Sequence, residues 1–151
     1  VPVDMNPEAL VDEWSGDIGC GVKYFSQDAV IRLAKNAGIE LDENLSPAEK
    51  LKAVQTLMAQ NDPRAMRVYE SIGVYLGHTL AYYYENYDCR TVLLLGRVMS
   101  GKGGDRILAT AKIVLQQEYP ELANRIEPVL PDENFRRVGQ SMAAASLPEC
   151  K

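Results

Sequence analysis

Residues 91–105, TVLLLGRVMSGKGGD, are the stretch that decides the fold we expect for this chain. Residues 91–95 are too few for a helix and are rich in branched apolar side chains, so they predict a buried strand. Gly96 ends this run, and residues 101–104 predict a glycine-rich turn before an amphipathic helix over residues 105–119. Such a turn lets backbone amides approach a ligand, and a helix N-terminus favours an anion, so we predict a nucleotide site here.

The bulk composition is typical of one globular domain. The chain has 151 residues, of which 46% are hydrophobic and 25% are charged. Its net charge of -5 argues against binding to a nucleic acid backbone, which depends on clustered Lys and Arg. No apolar run approaches the roughly 20 residues that span a bilayer, and the first residues lack the features of a signal peptide. We therefore expect a cytoplasmic protein that binds neither membranes nor nucleic acids directly.

The three cysteines, Cys20, Cys89 and Cys150, are odd in number and scattered along the chain. This pattern predicts free thiols in a reducing compartment rather than a disulfide framework.

The positions of glycine, proline and helix-capping residues predict three successive parts of the chain. Residues 1–25 form an irregular lead-in, residues 26–88 are helical, and residues 89–146 follow the order strand, helix, strand, helix. Helix starts are predicted at Ser26, at Ser46 with its capping-box partner Glu49, and at Asp62. The whole chain, residues 1–151, is interpreted as one lobe.

Small residues recur at a spacing of four on the longest predicted helix, at Gly73, Gly77 and Ala81. Each glycine in a helix interior costs about 0.5–1 kcal/mol relative to Ala, so two on one line indicate that a close approach is needed. Close packing of this helix on the sheet is the favoured explanation, and direct contact with a ligand is the alternative.

The last part of the chain predicts a second strand over residues 125–130 and an Ala-rich helix over residues 134–145. Pro128 suits an edge strand or a bulge. A strand, a long helix and a second strand indicate a parallel pair, and hence a helix-rich α/β fold with a small sheet. Two strands are few for a free-standing α/β domain, so we expect a partial domain.

Residues 96–103 read G-x-x-x-x-G-K-G, one residue from the P-loop pattern G-x-x-x-x-G-K-[ST]. The hydroxyl that holds Mg²⁺ in a P-loop is missing at Gly103. The near-match therefore remains a minor alternative.

Three stretches, in this order and spacing, resemble the C-terminal part of ROK proteins (repressor, open reading frame, kinase). Residues 19–41, GCGVKYFSQDAVIRLAKNAGIEL, resemble the glycine-rich loop and helix that follow the zinc-binding region of that family. Residues 68–101, VYESIGVYLGHTLAYYYENYDCRTVLLLGRVMSG, resemble its helix, strand and adenosine-site turn. Residues 125–146, RIEPVLPDENFRRVGQSMAAAS, resemble its last strand and helix, so the resemblance covers nearly the whole chain.

The resemblance implies a ribonuclease-H-like, actin-like C-terminal lobe that binds ATP on its adenosine side. By analogy, Gly96, Arg97 and Val98 would lie against the nucleotide, with Ser100 and Gly101 nearby. Arg97 stands where the family usually has a second glycine. Its guanidinium could stack on an adenine or reach a phosphate, or it could fill the pocket and abolish binding.

Other parts of the family pattern are absent from this chain. The zinc site needs one His and a tight Cys cluster, whereas Cys20 is isolated and His78 lies mid-helix, so no zinc is expected. His78 is interpreted as a surface or packing residue. There is no phosphate loop, sugar-binding motif or catalytic base, so no catalytic residue is assigned. ATP with Mg²⁺, and the sugar, are expected only for a full-length parent.

Three functional hypotheses follow from the resemblance. The first is a C-terminal fragment of a ROK-type sugar kinase, inactive without its N-terminal lobe. The second is the sugar-sensing and oligomerisation lobe of a ROK-type transcriptional regulator. The third is a stand-alone interaction module with a degenerate nucleotide site. A homo-oligomer is expected. The tyrosine group on the long helix, with members Tyr75, Tyr82, Tyr83, Tyr84 and Tyr87, favours a lobe or subunit interface, and covering of the sheet edge is the alternative.

Overall fold

The computed structural model describes residues 2–131, so the predicted helix over residues 134–145 and the thiol of Cys150 lie outside the described residues. The described chain is a helix-rich α/β fold with a small parallel sheet, as predicted. Its elements in order are α1 (Val22–Phe25), α2 (Gln27–Asn36), α3 (Pro47–Ala59), α4 (Pro63–Tyr87), β1 (Thr91–Leu93), a 3₁₀ turn (Arg97–Met99), α5 (Gly101–Glu118) and β2 (Glu127–Val129).

The predicted helix starts are confirmed by their capping hydrogen bonds. The Ser26 hydroxyl accepts from the Asp28 amide at 3.2 Å, and Ser46 forms a complete capping box with Glu49. At the start of α4, the Asp62 carboxylate accepts from the Arg64 amide at 2.8 Å. Hydrogen bonds from the Arg64 side chain and backbone lower the pKa of Asp62 to about 2. These three caps depend on neighbours within a few residues.

The glycine ridge of α4 packs against α5. A Cβ atom placed on Gly73 would lie 2.6 Å from Cβ of Thr110, and one on Gly77 would lie 2.6 Å from Cβ of Val114. The predicted close packing is therefore present, but its partner is helix α5 and not the sheet. The two helices form the centre of the core, which includes the fully buried side chains of Tyr69, Ile72, Leu80, Ile107 and Leu115.

The sheet consists of β1 and β2, which pair in parallel with Val92 opposite Pro128. Hydrogen bonds from the Glu127 amide to the Arg90 carbonyl (2.7 Å) and from the Leu94 amide to the Val129 carbonyl (2.9 Å) flank the pair. Because a parallel ladder uses alternate residues, the missing N–H of Pro128 faces away from β1. Of the two positions predicted for Pro128, an edge strand or a bulge, the sheet formed by residues 2–131 shows the edge strand.

The strand predicted over residues 91–95 is limited to Thr91–Leu93, and only one face of it packs against the core. Leu94 is buried, whereas Leu93 is 60% exposed and Leu95 is 57% exposed. Successive side chains of a strand point to opposite faces, and the helical body covers only one of them. The second face of this sheet therefore presents leucine side chains to solvent.

The lead-in has more structure than predicted. Two isolated antiparallel bridges, Pro2 with Cys20 and Val11 with Ile18, fold it into a loop, and α1 closes it. Trp14 lies in the turn between Val11 and Ile18, and it is 96% exposed.

Lys23 of α1 is buried and forms ion pairs with Glu13 and, at 3.9 Å, with Asp28. Its hydrogen bond to Glu13 raises the pKa of the Lys23 ammonium group. This pairing ties the lead-in loop to the first two helices.

Cys20 is buried and Cys89 is half-buried, and both are free thiols. Within residues 2–131, none of the helices combines the length and hydropathy needed to cross a membrane.

Candidate functional site

The loop that joins β1 to α5 lies at the carboxyl end of the strand pair. Gly96 has φ of 110° and Gly101 has φ of 63°, values that L-residues with a side chain rarely adopt. Among the described residues, and apart from the neighbouring backbone, no atom lies within 4 Å of the position that a Cβ would take on either glycine. These two glycines therefore serve the backbone conformation, and both leave open space in front of the loop.

The middle of this loop is fixed to the helical body. Val98 and Met99 are buried, at 6% and 7% exposure. The Gln55 side-chain amide of α3 donates to the Arg97 carbonyl oxygen at 2.8 Å. The side chain of Val98 therefore belongs to the core, and this residue can meet a ligand only through its backbone.

The glycine-rich segment 101–104 is the first turn of α5 and not a loop, so the predicted helix start at Asp105 is wrong. A Cβ on Gly103 would lie 2.4 Å from the Tyr69 ring, and one on Gly104 would lie 2.0 Å from the Met99 carbonyl oxygen. These glycines permit close packing at the start of the helix. The Tyr69 hydroxyl buried beside them has no hydrogen-bond partner among the described residues, and burial raises its pKa.

The geometry differs from that of a P-loop. The Lys102 ammonium donates to the Ala59 carbonyl oxygen at 3.0 Å and to Oδ1 of Asn61 at 3.2 Å, at the end of α3. A P-loop lysine instead reaches the phosphates of the ligand. The near-match in sequence therefore reflects helix packing rather than a phosphate cradle.

Two features of the loop favour an anionic or polar ligand. The first amides of an 18-residue helix lack intrahelical acceptors, and Ser100 makes no side-chain capping bond to them. The Arg97 guanidinium is exposed and makes no hydrogen bond or ion pair within residues 2–131. The loop thus combines helix amides, one cation and open space, so Arg97 does not fill a closed pocket.

The remaining chemically active side chains lie apart from this loop. Nδ1 of His78 is 2.9 Å from the Tyr119 hydroxyl, and Cys20 lies 3.7 Å from the Ser15 hydroxyl. In the described part of the chain, no three His, Cys, Asp or Glu side chains converge in a way that could hold a metal ion.

Two cavities were not foreseen from the sequence. One, of about 440 Å³, lies at the amino end of the strands and is bordered by Arg90, Lys112, Arg125 and Glu127. The other, of about 380 Å³, lies between α4 and the start of the chain and contains several of the tyrosines. Both combine segments far apart in sequence, and the only local signal was the spacing of aromatic residues on α4.

Comparisons of the chain with protein-family models, with curated proteins and with solved structures found no match.

Proposed function

We propose that this chain is the nucleotide-side lobe of a ROK-type, ATP-dependent sugar kinase, and that it does not turn over substrate alone. The observation that carries the proposal is the loop Gly96–Gly101, which connects a parallel strand to the start of an 18-residue helix. In open α/β sheets, ligands bind beyond the carboxyl ends of parallel strands. The proposal implies a cytoplasmic protein, because ATP is available there.

Each residue of the loop has a distinct role in this proposal. Gly96 and Gly101 leave room for the adenosine, and the first amides of α5 face a polar or anionic group of the nucleotide. Arg97 stacks on the adenine or pairs with a phosphate. Ser100 supplies a hydroxyl, and Val98 contributes only its backbone while its side chain anchors the turn in the core.

The exposed face of the sheet supports a second lobe in the working enzyme. Leu93 and Leu95 are both more than half exposed. Apolar side chains on an open sheet are stabilised when another layer covers them. In this proposal the other lobe covers that face and brings the catalytic base, the sugar-binding groups and the ligands for Mg²⁺.

The test is calorimetric titration of the chain with ADP and with ATP in the presence of Mg²⁺. We expect both to bind, and we expect Arg97→Ala to weaken binding by about tenfold, the scale of a lost stacking or charge contact. Arg67→Ala, at an exposed position of α4, is the matched control and should not change affinity. A sugar phosphorylation assay on the same chain should show no turnover.

Three results would contradict the proposal: no binding at millimolar nucleotide, an affinity that Arg97→Ala does not alter, or turnover of a sugar by this chain alone. Tighter binding in Arg97→Ala would instead mean that the arginine obstructs the nucleotide site.

A second candidate function is the oligomerisation lobe of a ROK-type regulator, and the exposed tyrosines of α4 favour it. Tyr82 is 43% exposed and Tyr87 is 62% exposed, with Tyr83 between them at ring distances of 6.1 Å. Tyrosine is enriched at protein interfaces. Sedimentation of Tyr82→Ala/Tyr87→Ala should show a smaller species if α4 forms the interface. An oligomer that this change disrupts, together with absent nucleotide binding, would favour the regulator over the kinase.

A further inference from the structure

Four of the nine described residues that line the cavity between α4 and the start of the chain carry aromatic rings. Its volume is about 380 Å³, and its lining includes Tyr24 from α1 and Tyr75, His78 and Tyr82 from α4. Tyr75 and Tyr82 are two helical turns apart and so lie on the same side of α4. The rest of the lining comes from residues 2–5 at the start of the chain and from Thr79 of α4.

The rings meet at nearly a right angle. The centroids of Tyr24 and Tyr75 are 5.6 Å apart with an interplanar angle of 87°. The Tyr24 hydroxyl donates to Oδ2 of Asp4, which fixes the ring against the lead-in. The two rings thus pack edge to face against each other, and Tyr82, on the same helix as Tyr75, adds a third aromatic ring to the lining.

The charge of the lining is negative. Asp4 is its acidic residue, and the lining includes no Lys or Arg. Hydrogen bonds from the Tyr24 hydroxyl and from the Asn6 amide (2.9 Å) hold the pKa of Asp4 below its usual value. Burial and the Asp4 carboxylate raise the pKa of Tyr24 to about 12, so this phenol stays protonated. Outside the lining, the Arg32 guanidinium lies 5.5 Å from the centroid of the Tyr24 ring. An anionic ligand in the cavity would face the Asp4 carboxylate with no cationic side chain in the described lining to offset it.

Two polar side chains of the cavity, Asp4 and His78, are hydrogen-bonded to the protein itself. Asp4 accepts from Tyr24 and Asn6, and Nδ1 of His78 is bonded to Tyr119. A neutral sugar needs many directed hydrogen bonds, whereas a methylated cation needs aromatic faces and a negative charge. The tyrosine rings and the Asp4 carboxylate of the lining are the groups that the second class of ligand needs.

We propose that this cavity binds a small quaternary-ammonium compound, with Tyr24, Tyr75 and Tyr82 as its aromatic walls and Asp4 as its counter-charge. The negative faces of the rings attract the cation, and its methyl groups bury the apolar surface. The site is separate from the loop Gly96–Gly101 and does not rest on nucleotide binding.

The test is calorimetric titration of the chain with choline and, in parallel, with its neutral isostere, in which a tert-butyl group replaces the trimethylammonium. We expect choline to bind and the isostere to bind at least tenfold more weakly, because only the charged compound gains the cation–π attraction. Tyr82→Leu should weaken choline binding by about tenfold. Tyr82 is partly exposed, so this change should leave the fold intact.

Tyr87→Leu is the matched control, because Tyr87 is on the same helix but outside the lining of the cavity. It should leave the affinity for choline unchanged, and so should Arg97→Ala. The proposal is overturned if choline fails to bind at millimolar concentration, if the isostere binds equally well, or if Tyr82→Leu has no effect. Preferential binding of a neutral monosaccharide at this cavity would also overturn it.

Discussion

The contact between α4 and α5 and the loop after β1 both depend on glycine, for opposite physical reasons. In the helix contact, Gly73 and Gly77 have ordinary helical backbones, and a Cβ on either would lie 2.6 Å from a side chain of α5. In the loop, Gly96 and Gly101 have open space around them but positive φ angles. The helix contact needs glycine because there is no space for a side chain. The loop needs glycine because its backbone adopts positive φ angles.

The α4–α5 contact is tightly packed, whereas the loop after β1 is open beside its two glycines. The α4–α5 contact has no room for an added atom, because the two helix surfaces are closely packed against each other. The loop needs glycine at two positions of positive φ, has open space beside these glycines among the described residues, and follows Leu95, whose side chain is exposed. Loops held in place by a rigid core are where binding residues are disproportionately found.

Replacing both glycines of the helix contact should have the largest effect. We expect Gly73→Ala/Gly77→Ala to lower the free energy of unfolding by about 3 kcal/mol, since overpacking at each position outweighs the gain in helix propensity. Urea denaturation followed by circular dichroism measures this loss. Val74→Ala, at a partly exposed position of the same helix, should change stability by less than about 0.5 kcal/mol. A double variant as stable as the parent would disprove the close contact.

The loop should respond to backbone conformation and not to side-chain volume. Gly96→Ala should cost about 1–3 kcal/mol, because its φ of 110° and ψ of 166° fall in a region that only glycine adopts readily. At Gly101, with φ of 63°, Asn should cost less than Val, because Asn tolerates the left-handed region. Urea unfolding of the three variants tests this order. Equal losses for Asn and Val at Gly101 would contradict it.

Tyr69 provides a smaller test at the border between the two regions. Its ring contacts Gly103, and its buried hydroxyl has no hydrogen-bond partner within the described residues. Tyr69→Phe removes an unsatisfied polar group, so we expect stability to stay the same or to rise by about 1 kcal/mol. The thermal midpoint is the readout. A loss above about 1 kcal/mol would mean that the hydroxyl has a partner in solution.

The smallest effect is expected on the open face of the sheet. Leu95→Ser should change the stability of this chain by less than about 0.5 kcal/mol, because Leu95 is 57% exposed. The same substitution at its buried neighbour Leu94 is the contrasting control and should be strongly destabilising. A large loss in Leu95→Ser would show that this face is covered, for example in a homo-oligomer.

The helical framework could be predicted well from the sequence, and the candidate site only in part. The caps at Ser46 and Asp62 and the edge role of Pro128 follow from neighbours in the chain and were predicted. The predicted site residues Gly96, Arg97, Val98 and Ser100 lie in the segment between β1 and α5, and Gly101 is the first residue of α5; their part in binding stays a prediction. The burial of Val98 and the helical state of residues 101–104 were not predicted, because both depend on contacts with α3 and α4.

What the sequence determined by itself comprises the helix starts, the α/β order, the parallel strand pair and the acidic net charge. The helix starts depend on hydrogen bonds and steric limits within a few residues, the parallel pair follows from the long helix between two strands, and the net charge follows from composition alone. Only the tertiary structure decided that the glycine ridge of α4 meets α5, that Lys102 holds the end of α3, and that Asp4 lines a cavity together with tyrosine rings. Each of these contacts joins residues at least 20 positions apart, as the Tyr24–Asp4 bond does, and no local pattern encodes which distant surface a side chain will meet.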